Sequence, residues 1–318
     1  MTTTTRKYRL RSTLAAAALA FATFTAMPAL SLAQEETGLD SYAATSKSTA
    51  FDTPEAAIAA FTSLLAQDDF DGFAALLGLD AAKLRANEAT LDTYAQIREG
   101  AAKQVVVEDH GDEKTLDIGA KLWPLPFPIV RGDDGKWSFD TLAGIDEILN
   151  RRIGENELEA IATMRAYVDA ENDYAMIDHD DDGVFEYAQK LISTPGTQDG
   201  LYWPTEPGEA ASPAGDIDQS ELEDARKGDG YFGYHFRILT GQGENVAGGA
   251  YDYIINGNMI GGFALLAWPA KYAETGVNTF VVNQRGVVYE IDLGDATPDI
   301  VKYIDRFNPD DDWNIVKD

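Results

Sequence analysis

The chain has 318 residues, with 54 Asp and Glu against 25 Lys and Arg, a formal charge of −29, and no cysteine. That balance excludes a nucleic-acid surface, which needs clustered basic side chains, and favours divalent cations and cationic partners over anionic lipid. Without cysteine no disulfide framework can hold the fold, so stability must come from core size, and the length suggests about two domains.

Residues 1–33 read as a cleavable signal peptide. Arg6, Lys7, Arg9 and Arg11 form a basic front, Leu14 to Phe24 an apolar run, and Ser31-Leu32-Ala33 a small-x-small cleavage site. The run is shorter than the roughly 20 residues that span a bilayer as a helix. The working protein is therefore expected to be soluble, periplasmic or secreted, with no membrane span after cleavage. Losing the leader would deepen its acidity, because the leader carries four basic residues and no acidic one. Residues 34–50 are small and polar without a period and read as a flexible linker.

An amino-terminal α+β domain is expected over 51–150. Thr53-Pro54-Glu55 offers an N-cap, a proline at the first helical position and an early acid, with Ile58, Phe61 and Leu65 on one face of the helix that follows. A second helix carries Phe70, Phe73, Leu76 and Leu77 up to Gly78, and a third runs from Asn87 to Lys103. The period then changes to alternation at 104–108, 115–120 and 127–131, with the Gly132-Asp133-Asp134-Gly135 turn leading into Lys136-Trp137-Ser138-Phe139. This order, with its Thr-Pro-Glu opening and closing Gly-Lys-Trp-Ser-Phe-Asp strand, resembles a nuclear-transport-factor-2-like cone.

The carboxy-terminal domain is expected over 151–318 as helix plus sheet. A helix through Ile145, Ile148 and Leu149 reaches Arg152. Beyond Gly154 a second and longer one runs from Glu155 to about Met176. Residues 195–230 are rich in Gly, Pro, Asp and Ser, including Pro207-Gly208, and read as an irregular surface segment. Aromatic and β-branched runs at 231–240, 263–268, 279–282 and 287–291 predict a second antiparallel sheet, closed by a short helix near 298–307. The fold class is thus α+β.

The sharpest chemical signal is Asp178-His179-Asp180-Asp181-Asp182-Gly183-Val184-Phe185-Glu186. Calcium takes several hard oxygen ligands, and here Asp178, Asp180 and Asp182 stand at loop positions one, three and five. Gly183 is at six, the Val184 carbonyl at seven, and Glu186 at nine, directly or through water. Helices are expected on both sides, the second from Tyr187 to Leu191. Position twelve holds Gln189 where a calcium loop has a bidentate glutamate, which predicts weaker binding or a shift of the carboxylate role to Glu186, and a structural rather than a catalytic ion. A solvated acidic turn would give the same residues.

Catalytic signatures are missing: no Gly-x-Ser-x-Gly elbow and no His-Glu-x-x-His helix. Of the three histidines, His110 falls in a hairpin turn, His179 in the acidic loop and His235 in a strand, where packing and a pocket base are the two options. Tyr202, Trp203, Trp268 and Tyr272 suit either a core or a ligand groove.

Several strings together carry a family resemblance: Ile148-Leu149-Asn150-Arg151-Arg152-Ile153-Gly154, Arg165-Ala166-Tyr167-Val168-Asp169-Ala170, the Asp178 to Tyr187 loop, Gly200-Leu201-Tyr202-Trp203-Pro204 and Gly261-Gly262-Phe263-Ala264-Leu265. From about Phe51 to Trp313 the chain resembles the exported bacterial family catalogued as domain of unknown function 2950, which implies organisation but no activity. Gly233-Tyr234-His235-Phe236-Arg237 and Thr279-Phe280-Val281-Val282-Asn283 are similar to the globular sheets of type IV pilin-like proteins, without the long apolar amino-terminal helix those proteins assemble through.

The expected role is a non-enzymatic binding or assembly module whose partner is an envelope protein, its acidic loop stiffened by calcium. The alternative is a small-molecule binder or hydrolase with a pocket in the amino-terminal cone, where Asp92, Tyr94, Trp123 or Trp137 would point inward.

Overall fold

The computed structural model describes residues 39–205 and 211–317. The leader at 1–33, the first part of the linker and the Pro207-Gly208 turn lie outside the described residues. By packing the chain divides into two compact units between Ile148 and Leu149.

In the first unit, local capping chemistry sets the helices. Thr53 accepts from the Ala56 N–H and opens α1 (Pro54–Ala66), and Asp69 accepts from the Gly72 N–H at 2.9 Å and opens α2 (Phe70–Leu77). Gly78 then takes a left-handed φ of 73° that would strain any other residue. Asp80 caps the short α3 (Ala81–Arg85), and Asn87 caps α4 (Glu88–Lys103). The strands follow as an antiparallel sheet in the order β1-β2-β4-β5, formed by Val105–Asp109, Glu113–Ile118, Ile129–Arg131 and Trp137–Phe139, with β3 (Trp123–Pro124) paired to β2. Between helices and sheet lie Phe61, Phe127 and Phe139, all fully buried, with Phe61 5.7 Å from Phe73 and 5.9 Å from Phe139 between ring centroids.

The expected linker differs from Leu39 onward. Residues Leu39–Tyr42 form a 3-10 turn, the Ala44 N–H donates to the Gly78 carbonyl at 2.8 Å, Phe51 pairs with Trp137, and the Ser48 hydroxyl donates to the Phe139 carbonyl. Leu39, Tyr42 and Ala43 pack on the core. A few apolar side chains and backbone bonds anchor a segment whose composition shows no period.

The two helices expected on either side of Gly154 are one, α5 (Thr141–Tyr174). An interior glycine costs only about 1 kcal/mol relative to alanine. Around it the helix is anchored in the second unit: Arg152 donates to the Glu274 carbonyl at 2.8 Å, Asn156 to the Thr275 carbonyl at 2.8 Å, and Glu157 accepts from the Val277 and Asn278 N–H groups at 2.9 Å.

In the second unit the carboxy-terminal part of α5 lays Ala160, Met164, Tyr167, Val168 and Tyr174 into a core shared with Phe263, Leu265, Phe280 and Val282. The irregular segment expected at 195–230 contains α6 (Gln219–Lys227), capped by Asp218 and ended by a left-handed Gly228. Then come β6 (Tyr234–Leu239), the short pairs β7 (Gly241–Gln242) with β8 (Tyr251–Asp252) and β9 (Ile254–Ile255) with β10 (Asn258–Met259), and β11 (Ala264–Pro269), β12 (Asn278–Asn283) and β13 (Tyr289–Asp292). After a four-residue α7 (Thr297–Ile300) and a 3-10 turn, β14 (Asn314–Ile315) completes an antiparallel sheet in the order β14-β13-β12-β11-β6. The expected closing helix is thus shorter than 298–307. The architecture as a whole is α+β: amino-terminal helices and sheet, a long helix, then a second antiparallel sheet.

Candidate metal centre

The acidic loop leaves α5 directly, and its two ends are pinned. On α5, Glu171 accepts the Ala188 N–H at 2.8 Å, tying the chain just beyond the loop to the helix before it. At the entry, the His179 ring stacks on Tyr174 at 3.9 Å and meets the edge of Trp203 at 5.8 Å, while its Nε2 lies 3.2 Å from the Tyr174 carbonyl. The imidazole is therefore packing, turned into the aromatic group. The helix expected at 187–191 is absent, because Tyr187 bridges to Met259 on β10 and the Tyr187 N–H donates to the Met259 carbonyl at 2.9 Å.

Inside this frame the loop folds on its own carboxylates. The Gly183 N–H donates to Asp178 Oδ2 at 2.9 Å, the Val184 N–H to Asp182 Oδ1 at 2.7 Å, and the Asp182 N–H to Asp180 Oδ1 at 3.3 Å. Gly183 sits at φ 86°, and Asp181 takes φ 61°, a region that aspartate tolerates better than most residues. The result brings one carboxylate oxygen each from Asp178, Asp180 and Asp182 within 4.8 Å of one another. Among the described residues this is the one such cluster of three or more metal-ligating side chains. Asp178 Oδ1 is buried without a partner. The Gly183 N–H, followed by those of Asp181 and Asp180, holds the Asp178 carboxyl below its ordinary value, so it is ionised at neutral pH.

Glu186 stands outside the trio. Its Oε2 accepts the Met259 N–H at 2.9 Å, and Gln189 donates to the Gly257 carbonyl at 2.7 Å, so both side chains fasten the loop to the β9–β10 hairpin. Asn258 on the same hairpin donates to Asp182 Oδ2 at 2.7 Å. Three hard oxygens in this arrangement can hold a divalent cation, whose charge would offset the repulsion between close carboxylates.

One residue of this region had no part in the sequence reading. Glu171 is fully buried, with Oε1 unpartnered, and burial pushes its carboxyl up to about 8 against the opposing pull of the Tyr167 and Ala188 hydrogen bonds. Its position on the apolar stripe Met164-Tyr167-Val168-Glu171-Tyr174 was the available signal. Burial and the nearby carboxylates, Glu186 first, push the Tyr174 phenol up to about 12.

The other candidate side chains scatter. His235 on β6 lies opposite Trp268 at 5.5 Å between rings, and burial lowers its pKa. Trp203 and Trp268 are half-buried against the core. In the first unit Tyr94 and Trp123 line a cavity, whereas Asp92 is exposed and Trp137 belongs to the packed core. Among the described residues, no carboxylate or histidine lines that cavity.

No helix among the described residues is long and apolar enough to cross a membrane. No curated protein and no solved structure matches the chain. The family model described as "Protein of unknown function (DUF2950)" matches residues 48–316, and the chain belongs to that family.

Proposed function

We propose that this protein is an exported, non-enzymatic binding or assembly module whose second unit carries a calcium loop. The observation that carries the reading is the meeting of the Asp178, Asp180 and Asp182 oxygens within 4.8 Å at alternate positions of a tight turn. The ligand set is all oxygen, which suits calcium rather than zinc or copper. Val184 would add its carbonyl. Glu186, whose Oε2 accepts the Met259 N–H, would complete the shell directly or through water. Affinity in the range of about 10⁻⁴ to 10⁻³ M follows for a site with this few charged ligands, adequate outside the cell. Export is supported by the basic front, apolar run and small-x-small site of residues 1–33. An assembly role with an envelope protein is supported by the helix-plus-antiparallel-sheet unit, the kind of globular body that pilin-like proteins present, and by the lack of catalytic signatures.

The test is thermal unfolding with calcium and with chelator. At calcium ten-fold above the dissociation constant the native state gains about 1.4 kcal/mol, which raises the melting temperature. Asp180→Asn with Asp182→Asn removes that gain and leaves the chelated protein folded. Identical curves for the unmodified protein in calcium and chelator would reduce the loop to an acidic turn.

A further inference from the structure

The β9–β10 hairpin that fastens the acidic loop turns on Asn256-Gly257, the sole Asn-Gly pair of the chain. Ile255 pairs with Asn258 and Ile254 with Met259, which leaves a two-residue turn between the strands. Asn256 stands at φ 55° and Gly257 at φ 100°, the two positive values of a type I′ turn, and both residues are exposed. Among the described residues no atom lies within 4 Å of where a Cβ on Gly257 would stand, so the main chain at the turn is open to water. Beside the turn, Gln189 donates to the Gly257 carbonyl at 2.7 Å, Asn258 to Asp182 Oδ2 at 2.7 Å, and the Met259 N–H to Glu186 Oε2 at 2.9 Å.

The backbone nitrogen after an asparagine can attack the side-chain amide and close a five-membered imide, and glycine, with no Cβ, hinders that attack least. The turn also supplies the motion. Types I′ and II′ share a φ near +60° at the first central residue and differ by rotation of the central peptide, which carries ψ of that residue from about +30° to about −120°. Asn256 already holds the shared φ, and glycine accepts the change in sign of φ that the rotation asks of position 257. The rotated peptide turns its nitrogen toward the Asn256 side chain without unpairing Ile255 and Asn258. We propose that Asn256 is a site of spontaneous modification through this imide. The Gly257 nitrogen gives its proton to hydroxide and bonds to Asn256 Cγ. The Cγ–Nδ2 bond breaks, and Nδ2 leaves with a proton from water as ammonia. Water then opens the imide, either at Cγ to give aspartate or at the backbone carbonyl to give isoaspartate, whose main chain runs through the side-chain methylene; nothing is oxidised or reduced. Either product adds negative charge on the hairpin that holds Asp182 and Glu186. Isoaspartate also lengthens the main chain of a two-residue turn, which disturbs the pairing of the strands and loosens their hold on the loop. The chemistry is the same whether or not the loop holds an ion.

The test incubates the folded full chain in mildly acidic and in mildly alkaline buffer, then reads its peptides by mass and by fragmentation that separates aspartate from isoaspartate. Asn245 and Asn314 are exposed as well but precede Val246 and Ile315, whose branched side chains crowd the attacking nitrogen, so they serve as internal references. Asn256 should convert more than about ten-fold faster than either, the effect of a barrier lower by about 1.4 kcal/mol, and faster in the alkaline buffer, with isoaspartate among the products. Asn256→Gly keeps a pair that the type I′ turn accepts and should abolish the mass gain, which separates Asn256 from Asn258 in the same peptide. The converted chain, more negative by the new carboxylate, is isolated by anion exchange, and amide hydrogen exchange at Met259 should be faster in its isoaspartate form than in the parent. Conversion no faster than at the references, aspartate without isoaspartate, or a mass gain that persists in Asn256→Gly would overturn the imide at Asn256. Unchanged exchange at Met259 in the isoaspartate form would overturn the loosening of the loop.

Discussion

Replacing Glu171 by Gln should stabilise the protein, and by an amount that grows with pH. The side chain is fully buried on α5 and its carboxyl is pushed up to about 8 by burial, against an ordinary value near 4.5. For an acid whose folded pKa is raised, the native state binds the extra proton between the two values, so stability falls as pH rises from about 4.5 to about 8 and levels off above. A shift of this size penalises folding by about 1 kcal/mol at pH 5, about 3 kcal/mol at pH 7 and about 4 kcal/mol at pH 8. Gln keeps the shape and the acceptor for the Ala188 N–H, and its amide does not ionise. Urea unfolding of parent and Glu171→Gln at these three pH values measures the difference directly, and other titrating groups cancel in the subtraction. A difference that stays flat from pH 5 to pH 8 would refute the argument, showing that Glu171 ionises in the native state at no cost.

Two further outcomes follow from packing and from a surface network. A Cβ on Gly144 would lie 2.0 Å from the ring of the buried Phe127, so Gly144→Ala should lose about 1–3 kcal/mol in urea unfolding despite alanine's better helix propensity. Asp199 accepts from Lys190 at 2.5 Å, the Thr194 N–H at 2.7 Å and the Thr197 hydroxyl at 2.9 Å, and the Lys190 ammonium beside it, with these donors, holds its carboxyl far below the usual range. A depressed acid gives stability that is present above its unfolded value and lost as pH falls through the folded one. Asp199→Asn should therefore flatten part of the decline in melting temperature below about pH 4.

What could be read in the sequence was what depends on neighbours along the chain. Thr53-Pro54-Glu55 announced α1, and Gly78 its left-handed stop after α2, because caps are local chemistry. The 178–182 aspartates were legible for the same reason: alternate positions of a tight turn face one point whatever surrounds them. The hold of Glu186 on the Met259 N–H was not, since Met259 lies far along the chain. The helix expected after the loop gave way to the Tyr187 bridge for that same cause, a long-range strand pairing outweighing local helical pattern. Gly154 looked like a break because propensity is weak information once Arg152, Asn156 and Glu157 are anchored around it. The Gly and Pro content of its flanks hides helix α6, a short amphipathic turn, although Asp218, Arg226, Lys227 and Gly228 mark both of its ends. The burial of Glu171 is legible in the apolar stripe it interrupts.

Crystals grown in calcium test the acidic loop without intermediaries. An anomalous difference peak between the Asp178, Asp180 and Asp182 carboxylates, about 2.3–2.6 Å from the nearest oxygen of each, is the predicted result. Ordered side chains at these three positions with no peak between them, or a peak elsewhere alone, would contradict it.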